Sequence, residues 1–235
     1  MQKLKLSLLA AASGYCGVAQ ADVVAVKADA SYWAYDGQAN MAAQTGVDDY
    51  DLERDGSTQV SLAIEHPVPL IPNAKLRYVN LNAQTENQVL NQPIYDLDID
   101  QTDFILYYEI LDNVVDADIG IGASKLSGDV KTLALANTKI DETVPVIYGA
   151  AGVKLPLTGL SAKAELLYSN YEDTQLTDAK AELQYNFVDN LLVDVGLKAG
   201  YRILDIQFDD YESNNLKNDL SFEFKGPYIG VDIHF

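Results

Sequence analysis

One cysteine, one tryptophan, two histidines and few basic residues limit what this 235-residue chain can be. A single thiol, Cys16, allows no disulfide framework within the chain, so stability rests on packing and backbone pairing. Long apolar runs are missing: mean hydropathy is -0.06, and no uncharged stretch reaches the roughly 18 residues that an α-helical span requires. A helical membrane protein is excluded. Sixteen Lys and Arg stand against 35 Asp and Glu, a net charge of -19, which argues against nucleic acid as a partner. The histidines, His66 and His234, lie beside a proline turn and next to the chain end. Neither position suits a general base, and no serine motif accompanies them, so no catalytic residue and no enzyme activity are expected.

The amino end carries Lys3 and Lys5 before an apolar run, Leu4 to Ala12, and the small-residue triplet Ala19-Gln20-Ala21. That pattern is a secretory signal, with cleavage expected after Ala21, and it takes Cys16 with it. Tyr15 directly before Cys16 argues against a lipid-anchored reading. Residues 22–235 then form one domain, with no linker or low-complexity break.

Across that domain the signal is alternation. From the end backwards, Phe235, Ile233, Val231 and Ile229 are apolar while Asp232 and His234 intervene, the two-residue period of a strand with unlike faces. The cleanest case sets Ala179, Ala181, Leu183, Tyr185 and Phe187 against Lys180, Glu182, Gln184 and Asn186. Similar stretches at about 23–34, 58–65, 74–83, 97–110, 115–126, 144–155, 162–169, 191–202 and 220–235 bring the count to ten. Between them lie short turns such as Pro67 to Asn73, where each proline removes a ladder donor. On the other side, the acidic segments Tyr35 to Gly56, Ser127 to Glu142 and Asp205 to Asp219 are expected to be solvated loops. A closed antiparallel transmembrane β-barrel of ten strands follows, because an open sheet edge in hydrocarbon leaves backbone groups unpaired. Merging the blurred segment Val144 to Leu155, where both parities are apolar or small, would give eight. Phe222 and Phe224 have the opposite parity to Ile229, and a bulge is expected near Gly226-Pro227.

The aromatics Tyr32, Tyr35, Tyr78, Tyr148, Tyr168, Tyr171, Tyr185, Tyr201 and Tyr228, with Trp33, fall near strand ends, as the two girdles of a barrel would. Tyr35, Tyr50, Tyr95 and Tyr211, assigned to loops, are the tyrosines open to a sugar-stacking role. The inward parity collects charges of both signs: Lys75, Arg77, Glu109, Asp116, Asp118, Lys163, Glu165, Lys180, Glu182, Asp194, Lys198 and Arg202. These either fill a narrow lumen with salt bridges or line a small selective pore. Asp51-Leu52-Glu53-Arg54-Asp55-Gly56 mimics the start of a calcium loop, but Leu62 holds the twelfth position where glutamate is needed. No metal site and no cofactor are expected.

Tyr228, Gly230, Ile233 and the terminal Phe235 resemble the signal by which bacterial outer-membrane barrels are recognised for insertion. Leu106 to Asn113, His66 to Asn73 and Leu155 to Leu160 resemble an uncharacterised gammaproteobacterial family of outer-membrane barrels with a glycine pair early in the first strand. Here Ala28 and Asp29 stand near that place. The resemblance implies the Gram-negative outer membrane as address. Lipid bilayer, lipopolysaccharide and, during insertion, the barrel-assembly machinery are the implied partners, and no activity is carried over. Two functions fit these residues: a narrow channel for small polar solutes, or a plugged barrel whose acidic loops bind a partner or surface.

Overall fold

The computed structural model describes residues 24–43, 46–68, 70–86, 88–89, 92–132, 138–189, 193–213 and 216–235. The expected signal segment, Cys16 included, lies outside the described residues. Ten strands build a single closed barrel: β1 (Ala25–Ala43), β2 (Gly46–Glu65), β3 (Asn73–Gln84), β4 (Tyr95–Asp112), β5 (Val115–Thr132), β6 (Thr138–Leu155), β7 (Leu160–Tyr171), β8 (Thr174–Asp189), β9 (Asp194–Ser213) and β10 (Leu216–His234). Each pairs antiparallel with its neighbours in sequence, and β10 closes on β1. The count is therefore ten and not eight. A two-residue ladder, Gln88–Val89 with Gln92–Pro93, lies between β3 and β4 outside the barrel.

The lower half of the barrel follows the alternation read from the sequence. Exposed apolar side chains circle it, among them Tyr32, Val60, Leu62, Leu76, Phe104, Ile119, Ile121, Ile147, Leu166, Leu183, Leu197 and Ile229. On β1 this belt runs from Val24 to Tyr32. At about 3.3 Å per residue and a tilt near 40° that covers about 20 Å of height, close to the roughly 25 Å apolar band of known barrels. Exposed apolar area of this extent has no stable place in water. Tyr32, Tyr78, Tyr168, Tyr171, Tyr185 and Tyr201 stand outward as girdle residues should. The β6 alternation resolves with Val144, Val146, Tyr148 and Ala150 inward and buried, and Ile147 and Val153 outward.

Above the girdle most of the strands do not stop. β1 continues to Ala43 and β2 starts at Gly46, so the described residues from Tyr35 to Gly56, which leave out 44–45, are strand and not loop, and the calcium-like stretch Asp51 to Gly56 lies within β2. The same correction applies to Ser127 to Glu142 and Asp205 to Asp219, which continue β5, β6, β9 and β10. Residues 133–137 and 214–215 lie outside the described residues. In this extension the faces exchange character. Leu81, Leu97, Ile99, Leu126, Leu204, Ile206, Phe208, Phe222 and Phe224 point inward and are buried, while Asp36, Gln38, Asp98 and Glu223 lie on the opposite parity. Each of the large side chains buried here contributes roughly 1.5–3 kcal/mol.

This exchange replaces the bulge expected at Gly226-Pro227. β10 runs through that point in unbroken register, with Tyr201 opposite Pro227, Arg202 opposite Gly226, Ile203 opposite Lys225 and Leu204 opposite Phe224. The phenylalanines keep the parity of Tyr228 because the surroundings change and the backbone does not slip. Below the girdle the outside is apolar; above it the inside is. For the same reason Trp33, Tyr35, Tyr148 and Tyr228 are not girdle residues: all four are buried inside the barrel. Trp33 donates its indole N–H to the Gly226 carbonyl at 3.1 Å. A Cβ on Gly226 would lie 1.9 Å from the Ala34 carbonyl oxygen, so only glycine permits this approach.

Candidate functional site

Where the inward face turns from charged to apolar, a layer of polar side chains crosses the lumen. Arg77 on β3 gives Nε to Asp103 at 2.7 Å and Nη1 to Glu165 at 3.0 Å, and bonds Asp178 through Nη2. Arg202 on β9 makes a bidentate pair with Asp178, both contacts at 2.9 Å. It reaches across to Gln59 at 2.9 Å and Gln101 at 3.0 Å. Gln101 in turn donates to Asp103 at 3.1 Å. Arg202, Asp178, Arg77, Asp103 and Gln101 thus form a closed ring of side chains from β9, β8, β3 and β4. All five are buried. Two guanidinium groups face two aspartates, so the ring is neutral with every partner satisfied, the condition under which buried charge is tolerated. Trp33 caps it, with the Arg202 guanidinium 4.5 Å from the ring centroid.

Above the ring the lumen is filled by the apolar core of the extension. Below it, a cavity of about 80 Å³ is lined by Lys27, Asp29, Glu65, Lys75, Tyr107, Asp118, Tyr148, Lys163, Glu165, Lys180, Glu182, Lys198 and Asp232, with Ser61 and Ala63. Lys180 lies opposite Glu165 and Glu182 opposite Lys163 in the β7–β8 register. Lys180 meets Glu165 at 3.4 Å, Lys75 and Glu165 form an ion pair, and Lys27 meets Glu65 at 2.7 Å. Lys163 lies 3.7 Å from Asp118. On the other wall Lys198 pairs with Asp29 and meets Glu182 at 3.4 Å, and Tyr228 donates to Glu182 at 2.7 Å.

The inward charges singled out in the sequence therefore separate by height. Arg77 and Arg202 belong to the ring, while Lys75, Asp118, Lys163, Glu165, Lys180, Glu182 and Lys198 line the cavity. Glu109, Asp116 and Asp194 lie lower, near the strand ends. Asn73 donates to Glu109 at 3.4 Å, Asp116 lies over Gly152, and Asp194 stands 3.8 Å from His234. Sequence reasoning missed Gln59, Gln101, Asp178 and Trp33 as members of the layer. The available signal was parity, since Asp178 continues the inward row of Lys180 and Glu182 although it looked like the end of a loop. Of the terminal residues, Tyr228 is turned inward, Gly230 and Ile233 face Ser31 and Ala28, and the Phe235 backbone exchanges bonds of 2.9 and 3.1 Å with Val26.

The outer surface of the extension is strongly acidic. On β1 and β2, Asp36, Asp51, Glu53 and Asp55 are exposed beside the single cation Arg54. Arg54 reaches Asp36 at 2.7 and 3.1 Å, and this hydrogen bond holds the Asp36 carboxyl below the usual carboxylate range. Inside, burial pushes the Tyr35 hydroxyl up to about 12. Tyr35 stays neutral, donating to the Asn82 carbonyl at 2.8 Å and accepting the Asn82 amide at 3.1 Å.

No protein-family model matches the sequence, and neither does any curated protein sequence. Solved structures do match. The outer membrane protease OmpT from Escherichia coli is similar at 10% identity and a TM-score of 0.55, over 92% of this chain and 99% of that chain. The fold is that of the outer-membrane β-barrels. Neisserial surface protein A matches at 15% identity and a TM-score of 0.33, over 92% of this chain and 100% of that one. The attachment invasion locus protein Ail of Yersinia pestis matches at 11% identity and a TM-score of 0.31, over 89% and 98%.

Proposed function

We propose that this protein is an integral outer-membrane barrel of a Gram-negative cell, closed to solute flow, which carries an acidic β-structured extension as a docking surface for cationic partners. The observation that carries this reading is the neutral Arg77–Asp178–Arg202–Gln101–Asp103 ring beneath a buried apolar core that contains Phe222 and Phe224. A channel needs a wet path, and here a satisfied charge layer and then packed side chains occupy the lumen. At the cell surface the acidic extension would meet divalent cations that bridge it to lipopolysaccharide, or a basic protein. Membership of the uncharacterised gammaproteobacterial family belongs to the same proposal, as do export by residues 1–21 and insertion by the barrel-assembly machinery. The reading assigns no enzyme activity, since His66 and His234 sit at the lower end of the barrel, away from the extension.

The test is planar-bilayer conductance of the refolded mature chain. Silence is expected from the wild-type protein and from an Arg77→Ala/Arg202→Ala variant, because the apolar core above the ring still closes the lumen. Discrete steps of reproducible size in the wild type would replace this reading with the channel. Docking is tested by retention on a basic probe surface: neutralising Asp51, Glu53 and Glu223 together should weaken it, and undiminished retention would sink that half of the proposal.

A further inference from the structure

We infer that the cavity below the ring is a binding site for a small zwitterion, a molecule with a primary ammonium and an oxyanion three to five bonds apart. The cavity is bipolar. On one wall, that of β7 and β8, a single carboxylate, Glu165, meets Lys180 and is reached across the lumen by Lys75 and Arg77 from β3, with Lys163 close enough to act on it. On the other wall a single ammonium, Lys198, is shared by Asp29 and Glu182, with Asp232 beside it. One wall has cations in excess and the other carboxylates. Lys180 and Glu182 mark the two poles as successive inward positions of β8, about 7 Å apart by strand geometry.

A salt-bridge filler would pair charges one to one, and this arrangement does not. Among the described residues Asp232 accepts one side-chain hydrogen bond, from Gln184 at 3.3 Å, and shares Lys198 with Asp29 and Glu182 without an ion-pair contact of its own, while Lys163 meets Asp118 at no closer than 3.7 Å. A ligand oxyanion facing Lys75, Lys163 and Lys180, with its ammonium facing Asp29, Glu182 and Asp232, would balance both walls at once. A singly charged ion would balance one wall and aggravate the other. The volume, about 80 Å³, is several times the roughly 10–15 Å³ that a cavity needs to hold one water, which leaves room for a small solute or headgroup. Access is from the lower end, where Lys27 and Glu65 lie near the strand termini; the ring closes the other end. The same chemistry is offered by a free amino acid and by a phosphoethanolamine lipid headgroup.

The experiment is calorimetric titration of the full mature barrel in a maltoside detergent, since zwitterionic detergents would compete. The probes are glycine and phosphoethanolamine, with ethanolamine and inorganic phosphate as single-charge controls. Losing one partner of an enclosed charge pair costs at least about tenfold in affinity. Both controls should therefore bind at least about tenfold more weakly than the better zwitterion, and Asp232→Asn and Lys163→Gln should each weaken that zwitterion by a similar factor. Ala63→Leu, which narrows the cavity without touching a charge, should abolish binding while the barrel keeps its heat-modifiable migration. Preference for phosphoethanolamine would assign the site to a lipid headgroup, preference for glycine to a free solute, and either upholds the inference. Zwitterions that bind no better than the single-charge probes, or whose binding survives both Ala63→Leu and the charge variants, would overturn it.

Discussion

Replacing Arg202 with methionine tests whether the buried ring holds the two halves of the barrel together. The change removes a bidentate contact to Asp178 and single bonds to Gln59 and Gln101. It also removes the cation stacked on Trp33. Breaking a buried pair costs about 3–5 kcal/mol when the remaining charge is stranded. Asp178 keeps Arg77, so the ionic part falls at the low end, and two glutamine oxygens left dry add about 1 kcal/mol each. Methionine returns part of this through packing, leaving a net loss of about 4 kcal/mol. Asp178→Asn should cost a similar amount. Because both changes break the same contacts, the double variant should be less destabilised than their sum, by about 2 kcal/mol or more. Guanidinium unfolding in lipid vesicles reads this through fluorescence of Trp33, the sole tryptophan, which stacks on the ring itself. A loss below about 1 kcal/mol for Arg202→Met, or additivity of the two changes, would refute a cooperative ring.

The exchange of faces makes opposite demands on neighbouring positions. Phe222→Ala should cost about 3–5 kcal/mol and expose β9 and β10 of the extension to protease, whereas Glu223→Gln, one residue on, should leave the digestion pattern unchanged. In the belt, Leu183→Arg should cost about 2–4 kcal/mol in vesicle unfolding, a loss absent if that face met water. Gly226→Ala should lower refolding yield, read as the fraction of heat-modifiable protein on gels, because its Cβ would meet backbone on β1; normal yield would show that the strands can part there. Arg54→Ala should leave the unfolding midpoint unchanged and raise the pH at which Asp36 titrates, since the guanidinium that holds that carboxyl down is gone; NMR of Asp36 reads it.

The lower barrel was legible because one face of each strand is apolar there and the parity is easy to follow, as on β8. The closing contact between β10 and β1 was legible for the same reason. The extension was not, although its alternation is equally regular. Asp48, Asp49, Asp51, Glu53 and Asp55 look like a loop by composition, yet Leu52 among them is buried. Phe222 and Phe224 were recognised as out of phase, but parity alone cannot distinguish a slipped backbone from a changed environment. Trp33 and Tyr228 carried a further ambiguity, since an aromatic at girdle height serves equally well outside as an interfacial ring or inside as a lid on charge. The ring itself depended on contacts such as Arg202 with Gln59, residues 143 apart, which no local pattern encodes.

The exchange of faces at the girdle also acts as a depth stop. If the barrel sank by one pleat, Asp36, Lys225 and their neighbours would enter hydrocarbon; if it rose by one, the lowest ring of apolar side chains would meet water at one end while girdle tyrosines left the interface at the other. Here most of the strands change sides near one level, and that level fixes how far the acidic extension stands above the bilayer.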